Sequence, residues 1–300
     1  MERFSAYSGV AGAKINLLLD VVGKRQDGYH LIDGVMQTLR FGDRLTVEAE
    51  PGGSGLYLRL SNGDGVPDDG TNLVYRAADR FLTRCDLNTC LTLTLDKRIP
   101  VAAGLAGGST DAACTLRLLN RMAGERALPD DALLEIARSL GADVPFCLLC
   151  QDGAMRTAGT GDLLTPVPGL PRGCTVVVAK SGEGVSTPWG YGRLDELYSD
   201  FAGRQETVAA RVGAMRAALE SGELDRIAAA CCNIFEEAVI PVRPAVGMLK
   251  EQMLKGGAKA AMMSGSGPAV FGLFDCPDAA QDVAQRLAAA GAQAFVSEVP

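Results

Sequence analysis

The segment PVAAGLAGGST, Pro100 to Thr110, places glycines, small side chains and two hydroxyls directly before an apolar-periodic run. Glycine adopts backbone angles that other residues avoid and lets a ligand approach the main chain closely. The first N–H groups of a helix lack intrahelical partners and carry a partial positive charge. The pattern therefore favours a phosphate site, although a tight strand-to-helix turn that binds no ligand has the same composition.

This segment matches none of the common phosphate loops. A Walker A loop ends in Gly-Lys-Ser or Gly-Lys-Thr, whereas Gly108 is followed directly by Ser109. The dinucleotide fingerprint G-x-G-x-x-G is absent here, and the protein-kinase motifs V-A-I-K, H-R-D and D-F-G are absent too. We expect Ser109 or Thr110 to cap the helix that follows, from about residue 109 to 122.

Composition limits the possible partners. The 300 residues carry a net charge of −7 and a sequence pI of about 4.9, which argues against a general affinity for nucleic acid, because that needs a basic footprint. No apolar run approaches the ~18 residues of a membrane span. The first residues lack the basic-then-apolar pattern of a signal peptide. We therefore expect a cytoplasmic protein with no nucleic-acid or membrane partner.

The nine cysteines have no regular spacing, and we expect reduced thiols. Cys147 and Cys150 form a C-x-x-C, which can be a redox pair or half a metal site. No second C-x-x-C follows, however, and His30 is the only histidine. We expect both cysteines to be small apolar side chains in a buried segment, and we expect the same of Cys231 and Cys232 in an alanine-rich helical run.

Strand and helix patterns mix along the first half of the chain. The strand patterns are AKINLLLDVVG, DRLTVEAE, LYLRLS and CLTLTLDKRIP. Besides the helix after the glycine segment, one helix is expected over TNLVYRAADRFLTRC, with Thr71 or Asn72 as its cap. Another is expected from Asp130 to Leu140, ending at Gly141.

From about Gly173 the pattern restarts. The expected strands are CTVVVAK, AAMM, AVFGLF and QAFVSEV, and the expected helices are 205–220, 224–237, 244–255 and DAAQDVAQRLAAAG. The run YGRLDELYSDF is weakly helical or a loop. Because strict β-α-β alternation is missing, we predict an α+β fold in two lobes and not a Rossmann fold. Prolines between residues 165 and 172 mark the boundary, so the lobes are 1–165 and 166–300.

Four sequence blocks carry a resemblance to one family. PVAAGLAGGSTDAA resembles the P-x-x-x-G-L-G-G-G-S-S-D-A-A motif of the GHMP kinases, which include galactokinase and the homoserine, mevalonate and phosphomevalonate kinases. AKINLLLDVVGKRQDGYHLIDGVMQTL, LGADVPFCL and MMSGSGPAVFGLF resemble three further blocks, in the same order, from Ala13 to Phe274. Ala106 departs from a glycine common in the phosphate loop, alanines 102 and 103 stand where glycines often occur, and Thr110 replaces a serine.

The resemblance implies a fold and an activity. The fold is α+β, with an N-terminal lobe like ribosomal protein S5 domain 2, a ferredoxin-like C-terminal lobe and the site between them. The activity is transfer of the γ-phosphoryl group of ATP, with Mg²⁺, to a hydroxyl of a small substrate. The GYH and LGADVP runs resemble the branch whose substrate carries a cytidine diphosphate group. Two alternatives stay open: a homoserine- or mevalonate-type kinase, and a nucleotide-binding regulator without catalysis. A monomer and a homodimer are equally compatible with the sequence.

The same resemblance implies roles for two ionisable residues. Lys14 is the catalytic lysine near the reacting hydroxyl and the γ-phosphate, where an ammonium stabilises negative charge. Asp143 is the general base that takes the hydroxyl proton. Taken without the family, Lys14 is a solvated lysine and Asp143 a turn aspartate.

Further residues are implied for the two substrates. For ATP they are Pro100, Val101, Ala102, Ala103, Gly104, Leu105, Ala106, Gly107, Gly108, Ser109 and Thr110, with Asn72 and Lys97 at the adenine. Helix capping for Asn72 and a solvated position for Lys97 are the alternatives. For the phosphate acceptor they are Asn16, Tyr29, His30, Thr187 and Tyr191, with Trp189 as the rival of Tyr191. Tyr29 and His30 frame the cytosine, and Tyr191 is the other aromatic wall.

Two features have less definite roles. The run SGSGP, Ser264 to Pro268, is either a plain hairpin turn or a second glycine loop packed against the first. Asp111 either helps a magnesium ion or favours the helix N-terminus through its charge.

Overall fold

A computed structural model describes residues 5–50, 53–63, 65–87, 89–198 and 200–299. The chain divides into two compact units, each assembled from separate stretches. The first unit contains Met1–Ala13, Gly42–Ile99 and Ala106–Gln151, and the second contains Lys14–Phe41, Pro100–Leu105 and Asp152–Pro300. Strands β1 (Ser5–Lys24) and β2 (His30–Glu50) each contribute residues to both units.

The sheet of the first unit has the strand order β3-β4-β2-β1, with β3 at Gly55–Ser61 and β4 at Cys90–Asp96. The end of β2 pairs antiparallel with β4, and β3 pairs parallel with β4. Leu91, Leu93 and Leu95 are fully buried, so alternate β4 side chains face the core, as the period-two pattern predicted. All four strand patterns of the first half are confirmed.

Among the described residues, the α-helices of the first unit are α1 (Leu73–Cys85), α2 (Gly107–Ala123), α3 (Asp130–Leu140) and α4 (Val144–Leu149). The apolar face of α1, with Phe81 fully buried, packs against α2. Helix α3 ends at Gly141 as expected. The short helix α4 was not predicted, because it lies inside the LGADVPFCL block and has Pro145 in its first turn.

The start of α2 corrects the expected cap. The helix begins at Gly107 and its N-cap is Ala106, so Ser109 and Thr110 lie inside the first turn. Thr110 Oγ1 donates to the Gly107 carbonyl at 2.9 Å and does not cap the helix. The expectation that Ser109 or Thr110 is the cap was therefore wrong.

The second unit extends β1 and β2 with three strands. Strand β5 (Ala154–Gly159) pairs antiparallel with β2, β6 (Leu163–Val167) pairs with β5, and the two-residue strand β8 (Cys232–Asn233) pairs parallel with β1. Sequence reasoning missed the β5–β6 hairpin, because Pro166 was interpreted as part of a domain boundary. Pro166 lies in β6, which pairs only with β5 among the described strands, and such an edge tolerates a residue without an N–H.

A four-stranded antiparallel sheet has the order β11-β7-β10-β9. Its strands are β7 (Thr175–Lys180), β9 (Ala260–Met263), β10 (Val270–Phe274) and β11 (Gln293–Glu298), and all four were predicted. Helices α9 (Pro244–Lys255) and α10 (Pro277–Ala289) contact this sheet and bury Met253 and Val283 in its core.

The remaining helices of the second unit are α5 (Thr187–Leu197), α6 (Gln205–Ser221), α7 (Leu224–Ala230) and α8 (Phe235–Val239). The single helix expected over 224–237 was wrong, because β8 interrupts it. Asn233 Nδ2 donates to the carbonyls of Met263 and Gly265 at 2.7 and 2.8 Å, and its Oδ1 accepts from the Phe235 N–H at 3.0 Å. Cys231 and Cys232 are therefore not helical, and both are half-buried.

The described part of the chain contains no helix that is both long and apolar enough to cross a membrane.

The conformation of Ala106 gives a stability prediction. Its φ is +57°, in the left-handed region, which costs an L-residue with a Cβ roughly 1–2 kcal/mol. Ala106→Gly should therefore raise the free energy of unfolding by about 0.5–1 kcal/mol after the greater entropy of an unfolded glycine is deducted. Urea denaturation measures this change.

Ala123→Gly is the matched control, since Ala123 lies at the other end of α2 with φ −65°. We expect that variant to lose about 0.5–1 kcal/mol in the free energy of unfolding, because glycine is unfavourable in a helix. Equal losses in both variants would show that Ala106 is not strained.

Candidate active site

The predicted phosphate segment contributes to both units: Pro100–Leu105 lies in the second and Ala106–Thr110 in the first. In the second unit Gly104 has φ +80°, and a Cβ built on it would lie 2.0 Å from the Ser264 carbonyl oxygen. No side chain fits at such a distance. Glycine is therefore required here by close backbone approach as well as by its angle.

The SGSGP run connects β9 to β10 and is hydrogen-bonded to this part of the segment. Ser264 Oγ donates to the Gly104 carbonyl at 3.0 Å and accepts from the Asn16 N–H at 3.3 Å. The Ala269 N–H donates to the Ala103 carbonyl at 3.1 Å. The expectation of a second glycine loop packed against the first is confirmed for its contacts with Pro100–Leu105. Residues Ser264–Pro268 also form the turn between β9 and β10, so the hairpin alternative holds as well.

Lys14 and Asn16 lie two residues apart on β1 and therefore share one face of the strand. Both are buried, with 4% and 3% of their surface exposed, so a solvated Lys14 is excluded. Lys14 Nζ donates to Asn16 Oδ1 at 2.7 Å, and the Lys14 N–H donates to the Leu105 carbonyl at 3.1 Å. The pair is thus fixed beside both glycine loops of the second unit.

The start of α5 is also connected to the second loop. Thr187 Oγ1 and Ser266 Oγ are 2.8 Å apart and share a hydrogen bond. Further along α5, Gly190 lies against Phe235, where a Cβ would come within 3.2 Å of the ring. The fold therefore brings Asn16 and Thr187, which are far apart in the sequence, to the same loop.

Aromatic side chains form a cluster around His30. The His30 ring stacks on Tyr191 at 4.4 Å between centroids and 17° between planes, and Phe201 meets it edge-on at 5.6 Å. Direct contact between His30 and Tyr191 leaves no space for a base between those two rings. Two other aromatic residues predicted for the acceptor site have accessible rings: Tyr29 is 66% exposed and Trp189 39%.

Asp195, which sequence reasoning missed, binds His30. His30 Nε2 and Asp195 Oδ1 are 2.7 Å apart, and Lys24 Nζ donates to Asp195 Oδ2 at 2.7 Å. Burial acts to raise the pKa of Asp195, but the hydrogen bonds from Lys24 and His30 outweigh it and lower that pKa. The available signal was the spacing, since Asp195 follows Tyr191 by four residues and shares its helix face.

In the first unit Lys97 is buried between two carboxylates. Its ammonium donates to Asp43 and, at 2.7 Å, to Asp111 Oδ2, so a solvated Lys97 is excluded. Asp43 Oδ1 also accepts from the Ile99 N–H at 2.8 Å. A Cβ on Gly107 would lie 3.3 Å from Lys97 Nζ, which places the ammonium directly beneath the start of α2.

Charge states follow from this burial. Burial raises the pKa of Asp111 well above its ordinary value despite the adjacent Lys97 ammonium. Burial acts to lower the pKa of Lys97, but the charges of Asp111 and Asp43 outweigh it and raise that pKa. Asp111 lies beyond the first turn of α2, and within the described residues its Oδ1 has no hydrogen-bond partner.

Asn72 caps α1, so the capping alternative is confirmed. Its Oδ1 accepts from the Val74 N–H at 2.9 Å, and its Nδ2 donates to the Pro67 carbonyl at 2.7 Å. Both ends of the amide are therefore used within the first unit.

Asp143 is the N-cap residue of α4, and its carbonyl accepts from the Cys147 N–H at 3.0 Å. It belongs to the first unit, whereas Lys14 belongs to the second. Cys147 and Cys150, which lie in and just after α4, are buried, as the sequence predicted.

Comparison with known proteins identifies the family. Residues 72–151 match the GHMP kinases N terminal domain and residues 215–293 match the GHMP kinases C terminal domain. The chain belongs to the GHMP kinase family, and the α+β, two-lobe GHMP fold predicted from the motifs is confirmed.

The chain is also similar to individual members of this family. A 4-diphosphocytidyl-2-C-methyl-D-erythritol kinase from Macrococcus caseolyticus is 40% identical over 88% of each chain. A crystal structure of 4-(cytidine 5'-diphospho)-2C-methyl-D-erythritol kinase is 34% identical, with a TM-score of 0.76 over 97% of this chain and 98% of that one. A homoserine kinase structure from Cytophaga hutchinsonii has the same TM-score at 20% identity, covering 98% and 95%, and therefore shows the fold alone.

The Ser264 hydroxyl gives a prediction about the loops. Ser264→Ala removes one donor and one acceptor at a buried site, so we expect a loss of about 1–3 kcal/mol in the free energy of unfolding. Because Gly104 and Asn16 lose their common partner, kcat/KM for ATP should fall by about tenfold or more. Denaturation and steady-state kinetics measure the two effects.

Ser297→Ala is its control. Ser297 is equally buried, and its hydroxyl accepts from the Phe41 N–H and donates to the Glu298 carbonyl at 3.1 and 2.8 Å. Ser297→Ala should lower the free energy of unfolding by about as much as Ser264→Ala and leave kcat/KM unchanged. If both variants changed kcat/KM equally, the effect would come from stability and not from the loops.

The buried ammonium gives a second prediction. Lys97→Met leaves Asp43 and Asp111 buried without their cation, and we expect a loss of about 3–5 kcal/mol in the free energy of unfolding. Lys259→Met is the control, since Lys259 also lies between two carboxylates, of Asp225 and Asp275, but at the surface. Thermal or urea unfolding should leave that variant almost unchanged. A Lys97 variant as stable as the control would contradict the structural role.

Proposed function

We propose that this chain is an ATP-dependent kinase that phosphorylates the 2-hydroxyl of 4-diphosphocytidyl-2-C-methyl-D-erythritol. The products are ADP and the 2-phosphate, in the methylerythritol phosphate route to isoprenoid precursors. The relatives' identity over 88% of the chain supports the substrate. The observation that carries the chemistry is the buried Lys14, fixed by Asn16 and by the glycine loop at Leu105.

Lys14 supplies positive charge at the transferring phosphoryl group. A preorganised, buried ammonium stabilises the developing negative charge without the cost of reorganising water. The proposed general base is Asp143. Asp143 then accepts the proton of the substrate hydroxyl as the oxygen attacks the γ-phosphorus.

Residues 100–110 are proposed to bind the ATP phosphates. The first backbone bond within α2 runs from the Thr110 N–H to the Ala106 carbonyl at 2.9 Å. The N–H groups of Gly107, Gly108 and Ser109 precede it and are the ones a phosphate can use. We propose that Asn72 and Lys97 act at this site by fixing the starts of α1 and α2, because their polar atoms already have partners.

The phosphate acceptor is proposed to bind at the aromatic cluster. Tyr29 is the exposed ring on which the cytosine stacks, and His30 reads the edge of the base. Tyr191 stacks on His30, so we propose that it acts at this site by holding the His30 ring in place. Asn16 and Thr187, both adjacent to the second glycine loop, orient the reacting end.

Mg²⁺ is proposed to accompany ATP, where it neutralises charge on the phosphates. Asp111 does not fit as its ligand, because the carboxylate is buried and bonded to Lys97. The described residues hold no group of three or more His, Cys, Asp or Glu side chains suited to a metal. No step is therefore assigned to a metal held by the protein.

Three further expectations stay predictions. They are the cytoplasmic location, the lobe boundary between residues 165 and 166, and the choice between a monomer and a homodimer.

The proposed reaction is tested by ³¹P NMR of the protein with Mg·ATP and 4-diphosphocytidyl-2-C-methyl-D-erythritol. A new phosphomonoester signal should appear together with ADP. Asp143→Asn should reduce kcat by about 10²–10⁴-fold, since it removes the base. Lys14→Met should also reduce kcat, because it removes the fixed charge at the phosphoryl group.

Asp225→Asn, a change to an exposed carboxylate, is the control and should leave the rate unchanged. Intact ATP with this acceptor would refute the proposal. Homoserine and mevalonate would then be tried as acceptors, and ATP binding without turnover on any of them would indicate a regulator.

A further inference from the structure

We propose that Asp195 is a positioning residue that makes this kinase select cytosine over uracil, by fixing a proton on His30 Nε2. The inference rests on the proposed function, since it assumes that His30 faces the base. It concerns a residue outside the sequence motifs, and it acts through His30 and not on the substrate directly.

The bond between the two side chains determines which ring nitrogen carries hydrogen. Asp195 Oδ1 lies 2.7 Å from His30 Nε2. A carboxylate can only accept, so Nε2 is the donor and must be protonated. Lys24 donates to the second oxygen, Oδ2, at 2.7 Å, which holds the carboxylate in place and keeps it ionised.

Packing prevents the ring from exchanging its nitrogens. The imidazole stacks on Tyr191, Phe201 touches it edge-on, and only 6% of the His30 side chain is exposed. A rotation of the ring would break the bond to Asp195 within this cluster. Nδ1 makes no hydrogen bond to the described residues, so it is the ring nitrogen left for a ligand.

The fixed proton has a consequence for base recognition. In the neutral ring Nδ1 is an acceptor and matches the N4 amino group of cytosine. At the same position uracil presents the O4 carbonyl, which is also an acceptor, so it cannot pair with the Nδ1 lone pair there.

Without Asp195 this discrimination is lost. The neutral imidazole can then carry its proton on Nδ1, since the tautomer is set by the bond that the other nitrogen makes. A donor at Nδ1 pairs with uracil O4 and can no longer accept from the N4 amino group of cytosine. Selectivity between the bases therefore depends on the carboxylate and not only on the histidine.

The first experiment uses the fact that His30 is the only histidine in the chain. Long-range ¹H–¹⁵N NMR of untagged protein labelled with [¹⁵N]histidine reports one imidazole. In the wild type Nε2 should be protonated throughout, and Asp195→Asn should show a mixture of tautomers. A wild-type neutral ring with its proton on Nδ1 would overturn the proposal. This readout needs no substrate, so it is independent of the proposed reaction.

The second experiment measures kinetics with the cytidine substrate and with its uridine analogue. Asp195→Asn should lower the ratio of the two kcat/KM values by about tenfold or more, because one charge-assisted hydrogen bond is removed. The change should lie mainly in KM, and Asp195→Glu should restore part of the ratio. Circular dichroism and thermal unfolding verify that each variant is folded.

Asp275→Asn is the matched control, since Asp275 is also a carboxylate paired with a lysine, and it is exposed at the surface. In Asp275→Asn the ratio of kcat/KM for the cytidine substrate to kcat/KM for the uridine analogue should equal that of the wild type. An unchanged ratio in Asp195→Asn, with or without a lower rate, would reduce Asp195 to a structural role and overturn the proposal. Failure of the wild type on both nucleotide substrates would instead refute the proposed function.

Discussion

The second unit is organised by the close approach of two glycine loops. Gly104 and Ser264 come so near that no Cβ fits between their backbones. The buried Ser264 hydroxyl connects the two loops to Asn16 of β1. Leu105, the residue after Gly104, accepts a hydrogen bond from the Lys14 N–H. Backbone positions, and not side-chain contacts alone, therefore determine where the lysine and the amide of the proposed site lie.

Paired charges connect the surrounding elements in three places, two of them buried. Lys97 holds Asp43 and Asp111 beneath the start of α2. In the second unit Asp20 is fully buried and bonded to two arginines, those of positions 204 and 211, at 2.9 and 2.6 Å. Asp195 binds a lysine and the single histidine. Each ion is paired, as a buried charge requires, and each pair ties together segments distant in sequence.

Most regular elements could be predicted from the sequence, because their burial follows local periodicity. The errors arose where a distant partner decides the local structure. Asn233 interrupts a helical pattern since its amide binds the carbonyls of Met263, at the end of β9, and of Gly265 in the second loop. Pro166 occupies a strand edge although it is typical of a boundary. Ala106 adopts a left-handed conformation that its own side chain disfavours, so the cap could not be located from residue preferences.

The sequence by itself determined the family, the order of the motifs, most helices and strands, and the residues proposed to act on the two substrates. Those features depend on residue type and spacing. Only the tertiary structure decided that Lys14 and Lys97 are buried, that Tyr191 stacks on His30 and that Asp195 binds the same ring. The reason is physical: burial and pairing depend on contacts between segments far apart in the sequence, such as Asn16 and Ser264, which are separated by 248 residues. Local patterns contain no information about such contacts.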